Sequence, residues 1–414
     1  MKKLSIIVII LLSTLRIFSQ DSLSLANCDS LSFVTCDSLS LIANDTVSWT
    51  DNVRQELTSL LDNSYFRKTQ IGLMVYDLTA DSIIFSHNEK QLLRPASTMK
   101  LITAITALDT LGSDYCYKTS ISYTGKIEGN ILYGDIYCKG GFDPMFDSKD
   151  METLADSIKQ LGIDSISGHI YGDVSMKDDK HWGEGWCWDD PNYTLTPLIL
   201  NRREDFMHNF IRKIRANDIV CSGEIRTGTT PSDATEIYTL RRSIVPILKT
   251  MMKESDNLYA ESMLYQTAAV FASHDATAKD AFRHTRSIIN SIGLDTSTYR
   301  FADGSGLSLY NYVTAELECM LLKYAYQKPS IYRYLYESLP VAGRDGTLKK
   351  RMQGTSADGT VHAKTGTLSG ISSLSGYCTS SEGHDLCFAI LNQGVMKKSE
   401  AHLFQNRICQ ILCR

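Results

Sequence analysis

The chain has 414 residues, 43% apolar and 21% charged, which is the profile of a globular protein with one large or two ordinary domains. Lys and Arg total 42 against 47 Asp and Glu, a net charge of −5. No basic field results, so nucleic acid is excluded from the expected partners.

The chain opens with "MKKLSIIVIILLSTLRIFSQD": two lysines, an apolar run from Leu4 to Leu15, then small and polar residues. This pattern predicts a secretory signal peptide over residues 1–20 and a periplasmic protein. The run is too short to cross a bilayer comfortably, and Arg16 follows it, so no stable transmembrane anchor is expected. Cys28, in "LANC", lies too far from the run to read as a lipid attachment site. Residues 21–49 carry a repeat of period eight, "DSLSLANC", "DSLSFVTC", "DSLSLIAN". The unit is too short to stack into a solenoid and reads as a Ser-rich linker. Cysteine occurs 11 times, an odd count that leaves at least one thiol unpaired or bonded to another chain. No Cys-x-x-Cys and no zinc spacing occurs. The cysteines read mostly as small core residues, and no metal is expected.

Residues 50–114 open the body. "TDNVRQELTSLLDN" predicts a short helix, and "IGLMVYDLTADSIIFSHN" predicts a hairpin turning at "LTAD". "RPASTMKLITAITALDTLG" then predicts a helix, with Leu101, Ile105 and Leu108 on one face and Gly112 as its stop. Residues 115–242 differ in character. They hold short strand-like runs, a helix near "METLADSIKQLG" and the Trp-rich loop "HWGEGWCWDDPNY". They read as an inserted α+β domain. The aromatic residues Trp182, Trp186 and Trp188 read either as a glycan-facing surface or, better, as a small aromatic core of that insert. Residues 243–414 return to helices, then to strand-like runs such as "TVHAKTGTLSGISSLSGY". A terminal amphipathic helix follows, with Leu403, Phe404, Ile408, Ile411 and Leu412 on one side.

Three short motifs carry chemistry. Ser97-Thr98-Met99-Lys100 puts a hydroxyl and an amine on one helical face. Lys100 can take the Ser97 proton if its own pKa is lowered. Alone, the motif reads equally as an N-cap serine with a solvated lysine. Ser255-Asp256-Asn257 adds a second hydroxyl and an amide, and alone reads as a helix–helix loop. Lys364-Thr365-Gly366-Thr367 puts a cation, hydroxyls and a flexible backbone on a late strand, where Gly366 lets a substrate approach. Alone, it reads as an edge strand blunted by a lysine.

In that order along the chain, Ser-x-x-Lys, Ser-Asp-Asn and Lys-Thr-Gly resemble the motif set of the penicillin-recognising serine enzymes. "LGSDYCYKTSISYTGKIEGNILYGDIYCKGGFDP", "KESDNLYAESML", "FADGSGLSLYNYVTA" and "LPVAGRDGTLKKRMQGTSADGTVHAKTGTLSGISSLSGY" are similar to segments of the D-alanyl-D-alanine carboxypeptidase/endopeptidase family, the class C low-molecular-mass penicillin-binding proteins. The resemblance runs from about residue 50 to the C-terminus. It departs from the family in lacking the further subdomain that larger members carry in the insert. "GGFDPMF" also places Phe142 in a stretch that is otherwise Gly-rich.

The resemblance implies a β-lactamase/transpeptidase-like core, an antiparallel sheet flanked by helices, built from residues 50–114 and 243–414 around a smaller α+β insert. It implies Ser97 as the acylated nucleophile and Lys100 as its base, neutral through burial and the charge of Lys364. Ser255 would relay a proton, and Asn257 would hold Lys100 and the substrate amide. The N–H groups of Ser97 and Thr367 would form the oxyanion hole. Lys364, Thr365, Gly366 and Thr367 would bind substrate. "DGSGLS", residues 303–308, reads as packing beneath the site, and Arg344 and Thr347 as supports of the Lys364 strand. Expected partners are peptidoglycan stem peptides ending in D-Ala-D-Ala and β-lactam antibiotics, with no cofactor and with oligomeric state left open. Two other readings share the core: a serine β-lactamase, and a β-lactam-binding sensor without turnover. The large insert argues for peptidoglycan.

Overall fold

The computed structural model describes residues 48–62, 66–190, 193–272 and 274–414. The predicted signal peptide and all but the end of the Ser-rich repeat linker lie outside these residues. So do Cys28 and Cys36.

The first stretch begins with α1 (Trp49–Leu61), whose cap Ser48 accepts the Asp51 N–H. The hairpin β1 (Gln70–Asp77) and β2 (Ser82–His87) follows. A 3-10 turn at Ala96–Thr98 then leads into α2 (Met99–Leu111). Every residue of α2 from Met99 to Leu108 is buried, so it is a core helix and not a surface one. It stops at Gly112, whose φ of 77° a side chain would resist.

The chain next builds β3 (Cys116–Tyr123), β4 (Lys126–Glu128), β5 (Ile131–Tyr133), β6 (Ile136–Lys139), α3 (Ser148–Lys159), β7 (Ser165–Ile166) and β8 (Ile170–Asp173). It continues with α4 (Phe206–Ala216), β9 (Val220–Cys221), β10 (Ile225–Thr227) and β11 (Thr235–Ser243). These strands form one sheet in the order β10-β8-β6-β3-β11 and a smaller one in the order β4-β5-β7-β9. Both mix parallel and antiparallel pairs. The sequence reading did not anticipate α4, although its buried Phe206, Phe210, Ile211 and Ile214 follow a helical period. The flanking run of Arg, Glu and Asp masked that period.

The last stretch supplies α5 (Ile244–Lys253), α6 (Asn257–Ala269), α7 (Ala278–Ser291), α8 (Ala315–Tyr326) and α9 (Pro329–Ser338). It ends with β12 (His362–Leu368), β13 (Gly370–Thr379), β14 (Asp385–Val395) and α10 (Lys398–Leu412). β14 pairs antiparallel with β1, Gln70 facing Gln393 and Asp77 facing Leu386. The two ends of the chain thereby close one antiparallel sheet in the order β12-β13-β14-β1-β2.

Strand alternation sends side chains to two cores. Leu73, Val75, Phe388 and Ile390 meet α1 and α10 on one face. Met74, Tyr76, Ala389 and Leu391 meet the helical layer of α2, α5, α6 and α8 on the other. Each fully buried side chain of this size contributes about 1.5–3 kcal/mol relative to exposure. In α10 the buried stripe is Ala401, Phe404, Gln405, Ile408, Cys409, Ile411 and Leu412. Leu403 lies off that stripe and is 63% exposed, which corrects its predicted inward placement. Of the nine described cysteines, six are buried and Cys187 is exposed. Among the described residues no helix is long and apolar enough to cross a membrane.

Candidate active site

Ser97 sits in the 3-10 turn that opens α2. The residue before it, Ala96, is held at φ 51°, a left-handed conformation that costs an alanine about 1–2 kcal/mol. The strain persists because neighbours fix the turn. A Cβ on Gly306, itself at φ 81°, would come within 1.8 Å of the Ala96 carbonyl oxygen, so the chain packs there backbone to backbone.

Lys100 lies one helical turn on and is fully buried. Its Nζ is 3.0 Å from Ser97 Oγ, and it donates to Asn257 Oδ1 at 2.7 Å and to the Ser305 carbonyl at 2.7 Å. Burial pushes the Lys100 amine down to about 8, against the pull of Asp303, Glu261 and Asp256.

Asn257 is the first residue of α6, and Ser255 sits at φ 60° in the break between α5 and α6. This break is the helix–helix loop that the Ser255-Asp256-Asn257 triplet suggests in isolation. The turn between the two helices brings the Ser255 hydroxyl to Lys364, whose buried Nζ donates to Ser255 Oγ at 2.8 Å and to the Thr365 carbonyl at 2.7 Å. Lys364 is held well below the ordinary lysine value, first by burial and then by the charge of Lys100. At Lys100, by contrast, Asp303, Glu261 and Asp256 work against burial.

Thr365 Oγ1 donates to Thr347 Oγ1 at 2.8 Å, whereas Arg344 pairs with Asp358. Gly366 has a packing role besides the one read in the sequence. A Cβ there would meet the Pro95 carbonyl oxygen at 2.5 Å and the Ser97 nitrogen at 3.1 Å. Its missing side chain lets β12 lie against the Ser97 turn. Thr367, one residue further on β12, is exposed.

Several supports were not legible in the motifs. Asp303 is buried and accepts from the N–H groups of Gly306 at 2.8 Å and Ser308 at 2.7 Å and from Asn311 Nδ2 at 2.7 Å. Glu261, on α6, accepts from the N–H groups of Gly304 and Ser305. The loop 303–308 is thereby locked with the Ser305 carbonyl aimed at Lys100. A charged residue inside the apolar run "LYAESML" was the available signal for Glu261.

Two contacts reach the site from residues 116–243. Trp186 Nε1 donates to Asp303 at 2.8 Å, and Arg202 pairs with Asp256 while lying over the rings of Tyr193 and Tyr259. Trp186 packs against the main helical core, while Trp182 and Trp188 are 48% and 84% exposed. The Trp-rich loop is therefore not a separate aromatic core. One of its tryptophans is an anchor beside the site, and the other two face solvent.

With this geometry in hand, comparison with known proteins is direct. The sequence profile of the D-Ala-D-Ala carboxypeptidase 3 (S13) family matches residues 53–202 and 198–414. A D-alanyl-D-alanine carboxypeptidase of Actinomadura sp. strain R39 is 25% identical, over 83% of this chain and 81% of its own. Carboxypeptidase DacB of Mycolicibacterium smegmatis is 33% identical, over 77% of this chain and 75% of its own. The crystal structure of penicillin binding protein 4 from Haemophilus influenzae shares the fold at a TM-score of 0.77 and 22% identity, covering 86% of this chain and 98% of that one. A half-buried serine beside a buried lysine on the shared fold and a profile match across nearly the whole described chain lead to one conclusion: the chain belongs to the D-Ala-D-Ala carboxypeptidase (S13) family and is a serine peptidase hydrolase.

Proposed function

We propose that the enzyme removes the terminal D-alanine of peptidoglycan stem peptides through an acyl-enzyme on Ser97. One observation carries the reading: the buried Lys100 amine lies 3.0 Å from Ser97 Oγ while contacting two oxygens that can only accept. A neutral amine has two N–H groups and one lone pair. The Asn257 and Ser305 oxygens take both N–H groups, and the lone pair is left for the Ser97 hydroxyl proton.

Ser97 Oγ attacks the carbonyl of the penultimate D-alanine as Lys100 takes its proton. The developing oxyanion is met by the N–H groups of Ser97, at the start of a helix, and of Thr367; one such donor contributes about 3 kcal/mol. Lys364, Thr365 and Thr367 receive the terminal carboxylate. That anion supplies the counter-charge Lys364 lacks, so binding draws a proton to Lys364 and favours neutral Lys100. Ser255, bonded to Lys364, relays a proton to the leaving D-alanine amine. Water then hydrolyses the ester. A β-lactam acylates Ser97 by the same attack; the Haemophilus influenzae protein has also been solved complexed with a novel β-lactam. The same chemistry cuts a D-alanyl cross-link when the leaving group is a second stem peptide. Export to the periplasm, read from the first 20 residues, fits such a substrate.

The test combines fluorescent penicillin labelling, D-alanine release from a D-Ala-D-Ala peptide and nitrocefin turnover. Labelling and D-alanine release are expected in the wild type, with both lost in Ser97→Ala. Persistent labelling of Ser97→Ala would sink the nucleophile assignment. Rapid nitrocefin turnover would favour a β-lactamase, and labelling without any turnover a sensor.

A further inference from the structure

Behind the nucleophile turn lies a carboxyl group that the acyl-transfer chemistry above does not use. Glu318, on α8, is buried, and each of its oxygens meets a buried hydroxyl. Oε1 is 2.6 Å from Thr98 Oγ1, and Oε2 is 2.5 Å from Ser375 Oγ. Thr98 directly follows Ser97. Ser375, on β13, is the register partner of Lys364 on β12. One side chain therefore touches the backing of both walls of the site, the nucleophile turn and the Lys364 strand.

A proton count favours a protonated Glu318. Thr98 Oγ1 also lies 2.9 Å from the Pro95 carbonyl oxygen. That carbonyl can only accept, and a hydroxyl has a single proton to give. If Thr98 gives its proton to Pro95, it can bond to Glu318 only as an acceptor, so Glu318 must carry a proton and donate it. Ser375 then donates to the other Glu318 oxygen, and every group in the chain is satisfied. An ionised Glu318 leaves one of the Thr98 contacts without a proton. It also buries a charge whose hydrogen-bond partners are two hydroxyls, a costly arrangement. Burial moves the Glu318 carboxyl in the same direction, up to about 7.

We propose that Glu318 is a positioning residue: as a neutral acid it donates to Thr98 and accepts from Ser375, holding the nucleophile turn in register with the Lys364 strand. The need is local, because Ala96 in that turn is held at φ 51°. The inference rests on Ser97 being the nucleophile.

The test compares Glu318→Gln, Glu318→Leu and Thr98→Val by acylation rate with fluorescent penicillin and by kcat and KM for D-alanine release. Circular dichroism and thermal melts report folding. Glutamine reproduces a neutral acid, its N–H donating to Thr98 and its carbonyl accepting from Ser375. It is expected to stay within about threefold of wild type. Leucine is expected to slow acylation and kcat by roughly tenfold to a hundredfold with KM little changed, and Thr98→Val to shift kcat in the same direction. A folded Glu318→Leu that acylates at the wild-type rate overturns the proposal. A folded Glu318→Gln as slow as Glu318→Leu does so too, because it requires an ionised carboxylate. If Glu318→Leu does not fold, Thr98→Val decides, and a wild-type rate there overturns it. Labelling that survives Ser97→Ala refutes the nucleophile assignment instead, so the two failures are distinguishable.

Discussion

A lysine that is charged in water must give up its proton before it can take one from a serine. Burial brings Lys100 to about 8, so the neutral fraction grows as pH rises toward that value. The second-order acylation rate with a β-lactam is expected to climb with pH and level off just above 8; a rate flat from pH 6 to 9 would remove Lys100 as the base. Lys100→Ala, folded by circular dichroism, is expected to acylate about 10²–10⁴-fold more slowly. Backbone contact matters as much at this scale. Gly306→Ala places a Cβ 1.8 Å from the Ala96 carbonyl at a φ of 81°. It is expected to lower stability by about 2 kcal/mol or more and to slow labelling in parallel, both read from a thermal melt and a labelling time course.

At the scale of elements, the site is held where helices begin or break. Ser97 lies in the 3-10 turn that opens α2, and the α5–α6 break carries Ser255 and presents Asn257. The apolar periodicity of both regions was legible in sequence, because each helix is buried and its pattern is dense. The break was legible only as the helix–helix loop that Ser255-Asp256-Asn257 reads as in isolation, inside a stretch, "MMKESDNLYAES", that keeps a helical pattern. Only the left-handed backbone of Ser255 and the Asp256 cap at Tyr259 end one helix and start the next. The Trp186 contact belongs to this scale too. Trp186→Phe keeps the packing but removes the N–H that Asp303 accepts. The expected result is a loss of about 1–2 kcal/mol of stability and a slower acylation rate, because the loop that aims the Ser305 carbonyl at Lys100 is loosened. An unchanged acylation rate would show that the Trp loop plays no part in holding Lys100.

At the scale of the whole molecule, the buried carboxyls link stability to pH. Glu261 is moved by burial, and then by Asp303, from an ordinary value of 4.5 to about 8, and Glu318 by burial to about 7. Between 4.5 and those values the folded state holds protons that the unfolded chain has released. Stability from these groups is therefore full below 4.5 and lost as pH rises toward 8. The melting temperature is expected to fall across that window. Glu261→Gln is expected to melt lower overall but with a shallower pH slope, and an unchanged slope would refute the linkage.

The sequence by itself determined the candidate reacting groups and their order: Ser97, Lys100, Ser255, Asn257 and Lys364 belong to short motifs legible whatever surrounds them. Strand and helix periods, being local, marked individual elements, and the resemblance to the penicillin-recognising enzymes implied the antiparallel core. Only the tertiary structure decided what surrounds those groups. Glu318, the Ser305 carbonyl, Trp186 and Arg202 lie far from the motifs in sequence, Glu261 lies four residues past Asn257, and all of them join the site through burial and polar contacts. Gly366 was legible as a glycine, but that its missing side chain serves the Pro95–Ser97 turn emerged only from the packing of β12. Burial and long-range register set the pKa of a lysine and the aim of a carbonyl, and neither is written in any local stretch of chain.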